Sequence, residues 1–379
     1  MTRRGVAAGP TRPAGRSLRL GENPARRTRE AALRALAERM IPGMEVRRAA
    51  DAVRAWGISP RVPIPLPGLA REAGVAVIHY QDEGPRFPIG SFKGWGGGYA
   101  TERLVARAAP RSVTVTCATD GNHGQAVAWA ARRAGARSIV YLAEIVSPAA
   151  ERRIVELGAE IVRSAGDHEV ASAECLAAAR EHGWYVISET ENATEARIAL
   201  DTLAGYGALW AEALDPFAAD PPTHLFVQAG VGGLAATAAA CTARRFGDRR
   251  PALVVVEAAA ADCVRRSLVA GRRVTVDGPF ETRLAGLAAG ATSLYAWVLL
   301  RAGADFALAI EDDAADDAVG RLASPSRGDA RILAGDSGAA GLAGALVACG
   351  DRRARATLGL SRRSRILVIG TERAPDFEP

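Results

Sequence analysis

Two kinds of segment take turns along most of this 379-residue chain. From about residue 70, short runs of β-branched and other apolar residues alternate with alanine-rich stretches of helical character. The strand-like runs fall at 75–80, 112–117, 138–142, 160–163, 184–188, 225–228, 253–257 and 365–369. Helical patterns fall at 122–133, 148–157 and 168–182, and again after the strand at 184–188 to about 214, with further helices later. A strand followed by a helix must cross over its sheet before pairing again in parallel. The alternation therefore predicts an α/β protein with parallel sheets. The run Leu253-Val254-Val255-Val256 is apolar at every position rather than every second one, which predicts sheets covered by helices on both faces.

Composition bounds the rest. The chain is 49% hydrophobic and 5% aromatic, with a mean hydropathy close to zero. It is long enough for two domains and a large core. A disordered chain, a collagen and a disulfide-stapled miniprotein are excluded. No stretch reaches the roughly 18 apolar residues that a membrane span needs, so no membrane association is expected.

The 48 basic residues include a single lysine, Lys93. Codon bias explains a surplus of arginine. It does not explain why this one position is lysine. A guanidinium is a very poor nucleophile, whereas a lysine amine can lose its proton and attack a carbonyl. Any Schiff-base chemistry through a lysine side chain here falls to Lys93.

The net charge of +6 is modest, and much of it lies in the first 30 residues, among scattered Gly and Pro. This stretch reads as a disordered, Arg-rich arm over residues 1–30. It lacks the apolar segment of a secretory signal. No stacking aromatics or basic helix accompany the charge, so no nucleic-acid partner is expected. The five cysteines are widely spaced and form no CxxC pair. They predict reduced buried thiols, a cytoplasmic location and no structural metal site.

Four segments stand out. The first, Ser91-Phe92-Lys93-Gly94-Trp95-Gly96-Gly97-Gly98, sets the lysine before a glycine cluster that can let backbone approach a ligand. It reads equally as a lysine in a flexible loop. The second, Thr119-Asp120-Gly121-Asn122-His123-Gly124, lies between a strand and a helix, where ligands of open α/β sheets bind. It reads also as a capped turn. The third, Gln228-Ala229-Gly230-Val231-Gly232-Gly233-Leu234, can form an anion nest for a phosphate, although it is neither a GxGxxG nor a Walker A sequence. The fourth, Gly335-Asp336-Ser337-Gly338-Ala339-Ala340-Gly341, opens a helix with small residues suited to packing on a flat ligand. A unique lysine, a strand-end turn and a phosphate nest are together what pyridoxal 5′-phosphate requires.

These segments resemble those of the fold-type II pyridoxal-phosphate enzymes, the group of tryptophan synthase β, threonine dehydratase and cysteine synthase. Within that group the chain is most similar to the diaminopropionate ammonia-lyases. The likeness runs from about residue 82 to 376 and includes the motifs THLFVQAGVGGLA, RILAGDSGAAGL and ILVIGTERAPD. It implies a two-lobed α/β enzyme with parallel sheets covered by helices. Residues 94–204 would form a small lobe, and 31–93 with 205–379 a large cofactor-binding lobe. It implies Lys93 as the Schiff-base lysine, with Phe92 beside it, and Asn122 at the cofactor's 3′-oxygen. Gly230, Val231, Gly232, Gly233 and Leu234 would cradle the phosphate, and Gly286 would lie near the ring. Thr119, Asp120, His123 and Glu189 would face an amino-acid substrate, with Asp120 and Glu189 as catalytic carboxylates. The implied reaction is α,β-elimination of ammonia from 2,3-diaminopropionate or a close analogue, giving an aminoacrylate and then a keto acid and ammonia. The implied alternative is a dehydratase or β-replacement enzyme for another β-substituted amino acid. A homodimer is implied by the family alone.

The sequence departs from the family pattern mainly around the substrate. Glu189 stands where an aspartate is expected and is followed by Glu191-Asn192-Ala193-Thr194. Gly370 stands where a serine meets the pyridine nitrogen, with Thr371 next to it. Ala289 replaces one half of a family disulfide, which leaves Cys263 without that partner.

Overall fold

The computed structural model describes residues 18–26, 30–119, 121–325 and 328–374. The strands among them are β1 (Arg19–Glu22), β2 (Ile64–Pro65), β3 (Val77–Asp82), β4 (Thr114–Thr119), β5 (Arg137–Leu142), β6 (Glu160–Arg163), β7 (Tyr185–Val186), β8 (His224–Gln228), β9 (Ala252–Ala258), β10 (Phe306–Ile310) and β11 (Arg365–Gly370). They form two sheets, ordered β1-β10-β9-β8-β11-β3-β2 and β6-β5-β4-β7. The second sheet is wholly parallel. The first is parallel from β10 to β3, with β1 and β2 antiparallel at its edges. Leu253 to Ala258 are all buried, because helices cover both faces.

Three features differ from the sequence reading. Residues 19–22 are a strand, not part of a disordered arm. Leu20 pairs with Leu308, and the buried Asn23 amide donates to the carbonyls of Arg301 and Ala304 at 3.1 and 2.7 Å. Residues 1–17 and 27–29 of the expected arm lie outside the described residues. The sequence pattern misses β10, since two of the five residues of Phe-Ala-Leu-Ala-Ile are alanine and the run reads as helix. β7 has two residues rather than five. The Val186 amide donates to the Thr194 hydroxyl at 3.0 Å, and the Ile187 amide makes the last bond to β4, on the Thr116 carbonyl at 2.9 Å.

The parallel strands present their carboxyl ends together. In register, Asp82 of β3 is level with Gly370 of β11. Helix Gly233–Phe246 starts just past the end of β8, and helix Asn122–Ala134 just past the end of β4. Helix Ala196–Ala213 is buried over most of its length and packs into the core. Its Trp210 indole donates to the Leu234 carbonyl at 2.9 Å, which ties it to the Gly-rich turn. A Cβ at Gly205 would fall 1.7 Å from the Trp95 carbonyl oxygen, so the helix meets the chain after Lys93 backbone to backbone.

The lysine segment is anchored from below by a buried polar network. Glu83 accepts from Arg86 Nε at 3.0 Å, Gln81 Nε2 at 2.6 Å and Trp95 Nε1 at 2.9 Å. Arg86 also pairs with Glu212. Each buried charge thus has a partner, as burial requires. All five cysteines are buried and unpaired, Cys263 included. Among the described residues no helix is long and apolar enough to cross a membrane.

Candidate active site

Lys93 is the last residue before a π-helical turn, Gly94–Gly98, at the mouth of the large sheet. Its Nζ donates to Glu189 Oε1 at 2.6 Å and to the Tyr206 hydroxyl at 3.1 Å. The Tyr206 hydroxyl in turn lies 3.4 Å from Glu189 Oε1. Phe92 stacks on Tyr206, with ring centroids 5.1 Å apart. Gly96 is small because a Cβ there would meet the Tyr206 ring at 2.4 Å. The glycine cluster after the lysine therefore makes room for an aromatic side chain of the helix across from it.

Glu189 joins two of the sequence segments. One oxygen holds Lys93, and the other lies where a Cβ of Gly233 would be, 2.1 Å away. Its main-chain oxygen accepts from Ser293 Oγ at 3.1 Å, and the Ser293 amide donates to the Val231 carbonyl at 2.9 Å. The turn from Gly230 to Leu234 is thus braced from outside. Gly232 has φ +95°, a left-handed conformation that glycine adopts without strain. That turn delivers the chain into helix Gly233–Phe246, whose first amides have no partner within the helix. A Cβ at Gly230 would fall 2.9 Å from the Gly286 carbonyl, and the Gly286 amide donates to Ser337 Oγ at 3.1 Å. Gly286, the phosphate-type turn and the fourth segment are therefore adjacent.

The second focus lies at the end of β11. Thr371 Oγ1 accepts from Gln228 Nε2 at 3.0 Å, and the Thr371 carbonyl accepts from the Phe92 amide at 2.8 Å. Asn122 Nδ2 donates to Glu372 Oε2. The small residues of the fourth segment, expected to pack on a flat ligand, also admit this strand. A Cβ at Gly338 would fall 2.6 Å from the Glu372 carbonyl oxygen, and one at Gly335 2.9 Å from Glu372 Oε1.

Thr119 and His123 are tied into the fold. Thr119 Oγ1 accepts from the Gly121 and Gly124 amides at 3.0 and 3.3 Å. His123 Nε2 lies 2.9 Å from the Ile187 carbonyl, and its Nδ1 has no hydrogen-bond partner among the described residues and lies close to Gly97. Asp120 lies outside the described residues.

The charges are strongly coupled. Burial alone would lower the Lys93 ammonium, but the Glu189 carboxylate and Tyr206 outweigh it and hold the group above its ordinary value. Burial and the Glu189 charge push Tyr206 up as well. Burial, followed by the charge of Lys93, lowers His123 to about 4, so the ring is neutral near pH 7.

Tyr206 and Glu372 were not singled out in the sequence. Tyr206 lies inside a long helical stretch, and its one trace is the crowd of glycines after Lys93. Glu372 adjoins Thr371 in a segment read only for its resemblance.

The arrangement fits a phosphorylated aldehyde cofactor. It has one lysine amine, a glycine turn too tight for side chains opening a helix, and a carboxylate bridging the two. A family model described as pyridoxal-phosphate dependent enzyme matches residues 57–371. The chain belongs to that family, and pyridoxal phosphate is its cofactor. Among its relatives is the diaminopropionate ammonia-lyase of Escherichia coli strain K12, 31% identical over 344 residues, covering 85% of this chain and 86% of that one. The diaminopropionate ammonia-lyase of Salmonella typhimurium is 29% identical over 303 residues, covering 73% and 75%. The crystal structure of the holo Escherichia coli enzyme superposes with a TM-score of 0.82 at 27% identity, over 95% of this chain and 94% of that one.

Proposed function

We propose that this chain is a carbon–nitrogen lyase that eliminates the β-amino group of 2,3-diaminopropionate or a close β-amino amino acid. The observation that carries this reading is the Glu189 carboxylate, 2.6 Å from the single lysine and against Gly233 of the glycine turn. A substrate with a second amine presents a cation, and a carboxylate beside the reacting lysine is suited to receive it. The names of the relatives support the same substrate.

Bound pyridoxal phosphate supplies an electron sink for the substrate's Cα. Lys93 takes the Cα proton at Nζ. Glu189 binds the β-ammonium and keeps it protonated, so that it leaves as neutral ammonia with the C–N bonding electrons, and Asp120 is the second carboxylate for this task. Tyr206 holds the lysine amine from its other side. The turn from Gly230 to Leu234 holds the phosphate, and Gly286 and Phe92 flank the ring. Thr371, which accepts from Gln228, keeps its own hydroxyl proton to donate to the pyridine nitrogen. Thr119 and His123 line the end of the site that receives the substrate carboxylate. The same reading takes 94–204 as a small lobe, a homodimer as the working state and the cytoplasm as its location.

The test is to incubate cofactor-loaded protein with L- and D-2,3-diaminopropionate and measure pyruvate and ammonia together. One pyruvate and two ammonia per substrate, with one water consumed, is the expected result. Lys93→Ala should abolish it. Turnover of serine or threonine without turnover of diaminopropionate would overturn the reading and favour a dehydratase.

A further inference from the structure

Glu372 touches three of the four segments. Its Oε2 accepts from Asn122 Nδ2 of the second. Its main chain forms a β-bridge with Ser91 of the first. Its carbonyl accepts from the Gly335 amide of the fourth at 3.1 Å. The amides of Ser337 and Gly338, at the start of helix Asp336–Gly350, lie on the same side as its carboxylate and favour its charged form. Burial raises the carboxyl above its ordinary value, and the bond from Asn122 and the two amides oppose that.

An asparagine amide can sit either way round in a site, and its orientation is set by its partners. A carboxylate only accepts, so Glu372 dictates which end of the Asn122 amide it meets. We propose that Glu372 is a positioning residue of the cofactor site, holding one N–H of Asn122 so that the other faces the cofactor's 3′-oxygen. The proposal rests on the reading above that Asn122 meets the cofactor. Glutamine at this position would turn N–H groups toward the Ser337 and Gly338 amides, which are donors themselves, and the amide clamp would loosen. The main chain of the same residue links that clamp to the lysine segment, through the bridge to Ser91, and to the helix beside Gly286, through the carbonyl bonded by Gly335, so one residue sets the relative placement of all three.

The experiment titrates pyridoxal phosphate into full-length apoprotein carrying no change, Glu372→Gln, Asn122→Ala, or both. It reads the affinity, the absorbance of bound cofactor and the apoprotein Tm. Glu372→Gln should weaken the cofactor roughly ten- to a hundredfold, the scale of a hydrogen bond to a charged group. The double variant should then be little worse than Asn122→Ala, because the two residues act as one unit. The absorbance maximum should shift in both single variants. Losses that multiply, or a Tm fall with unchanged absorbance, would overturn the proposal and leave Glu372 a structural strut. If Asn122→Ala changes neither affinity nor absorbance, the reading of Asn122 falls and takes the proposal with it. Glu372→Asp, which withdraws the charge by one methylene, enters the same cycle where the glutamine variant does not fold.

Discussion

Gly370 shows how a single missing methyl group can be required by a neighbour. A Cβ there would lie 2.1 Å from the Tyr80 hydroxyl and 2.4 Å from the ring carbon that bears it. Tyr80 is fully buried, and its hydroxyl has no hydrogen-bond partner among the described residues. The family pattern places a serine here, and this chain has filled that space from the next strand instead. Restoring it, as Gly370→Ser, should lower stability by about 1–3 kcal/mol, the usual effect of overpacking. Denaturant unfolding measures this, and adding Tyr80→Leu should recover part of the loss. The sequence showed that position 370 departs from the family. It could not show why, because Tyr80 is 290 residues away and nothing local marks the contact. Glu189 is the complementary case. Its departure from the family pattern was legible, but its bond to Lys93 depends on how the chain turns after β7.

At the scale of elements, helix Ala196–Ala213 carries the tightest approach in the molecule's core. Gly205 touches the Trp95 carbonyl, Tyr206 reaches the lysine, and Trp210 holds the start of the glycine turn. Two consecutive turns of one helix thus set the distance between the lysine and the phosphate-type turn. A methyl group added at Gly205 cannot be accommodated by rotating a side chain, since the obstacle is a backbone oxygen 1.7 Å away. Gly205→Ala should destabilise the protein by about 3 kcal/mol or more. It should also weaken binding of pyridoxal phosphate, although the residue does not line the site. Thermal unfolding and a cofactor titration check the two parts separately. The helix itself was readable from its alanine-rich pattern. The faces it presents were not, because it is buried nearly all round and shows no amphipathic stripe to orient it.

For the whole molecule, strand and helix order was the most legible property. Alternation of the two periods requires crossovers, and crossovers require parallel sheets. What the pattern lacked was the element whose residues suit both structures, β10, and the edge strand β1 inside a charged segment. Three histidines bear on the acid side of stability. His123 is lowered to about 4, and His79 and His224 are lowered too, each chiefly by burial. The unfolded chain binds these protons at about pH 6.5, so between that value and about 4 it holds more protons than the folded one. Stability is therefore full above pH 6.5 and falls as pH drops through this window. The His123 part is about 1–3 kcal/mol. Urea unfolding at pH 7.5 and pH 4.5 should show the fall, and His123→Gln should flatten it.

The strand β11 lies between β3 and β8 in the large sheet. A ribosome makes β3 early and β11 some 280 residues later. At the usual pace of synthesis that is a wait of roughly 15–60 s. Throughout it the middle of the sheet is missing, and β3 has no parallel neighbour. The segment that follows β11 also carries Thr371 and Glu372, so the lysine loop and the glycine turn are on hand long before the site can close. Cofactor capture is thus a late event in the life of the nascent chain, and the half-made sheet, with open edges on both sides of the gap, is the stage at which a chaperone has most to protect.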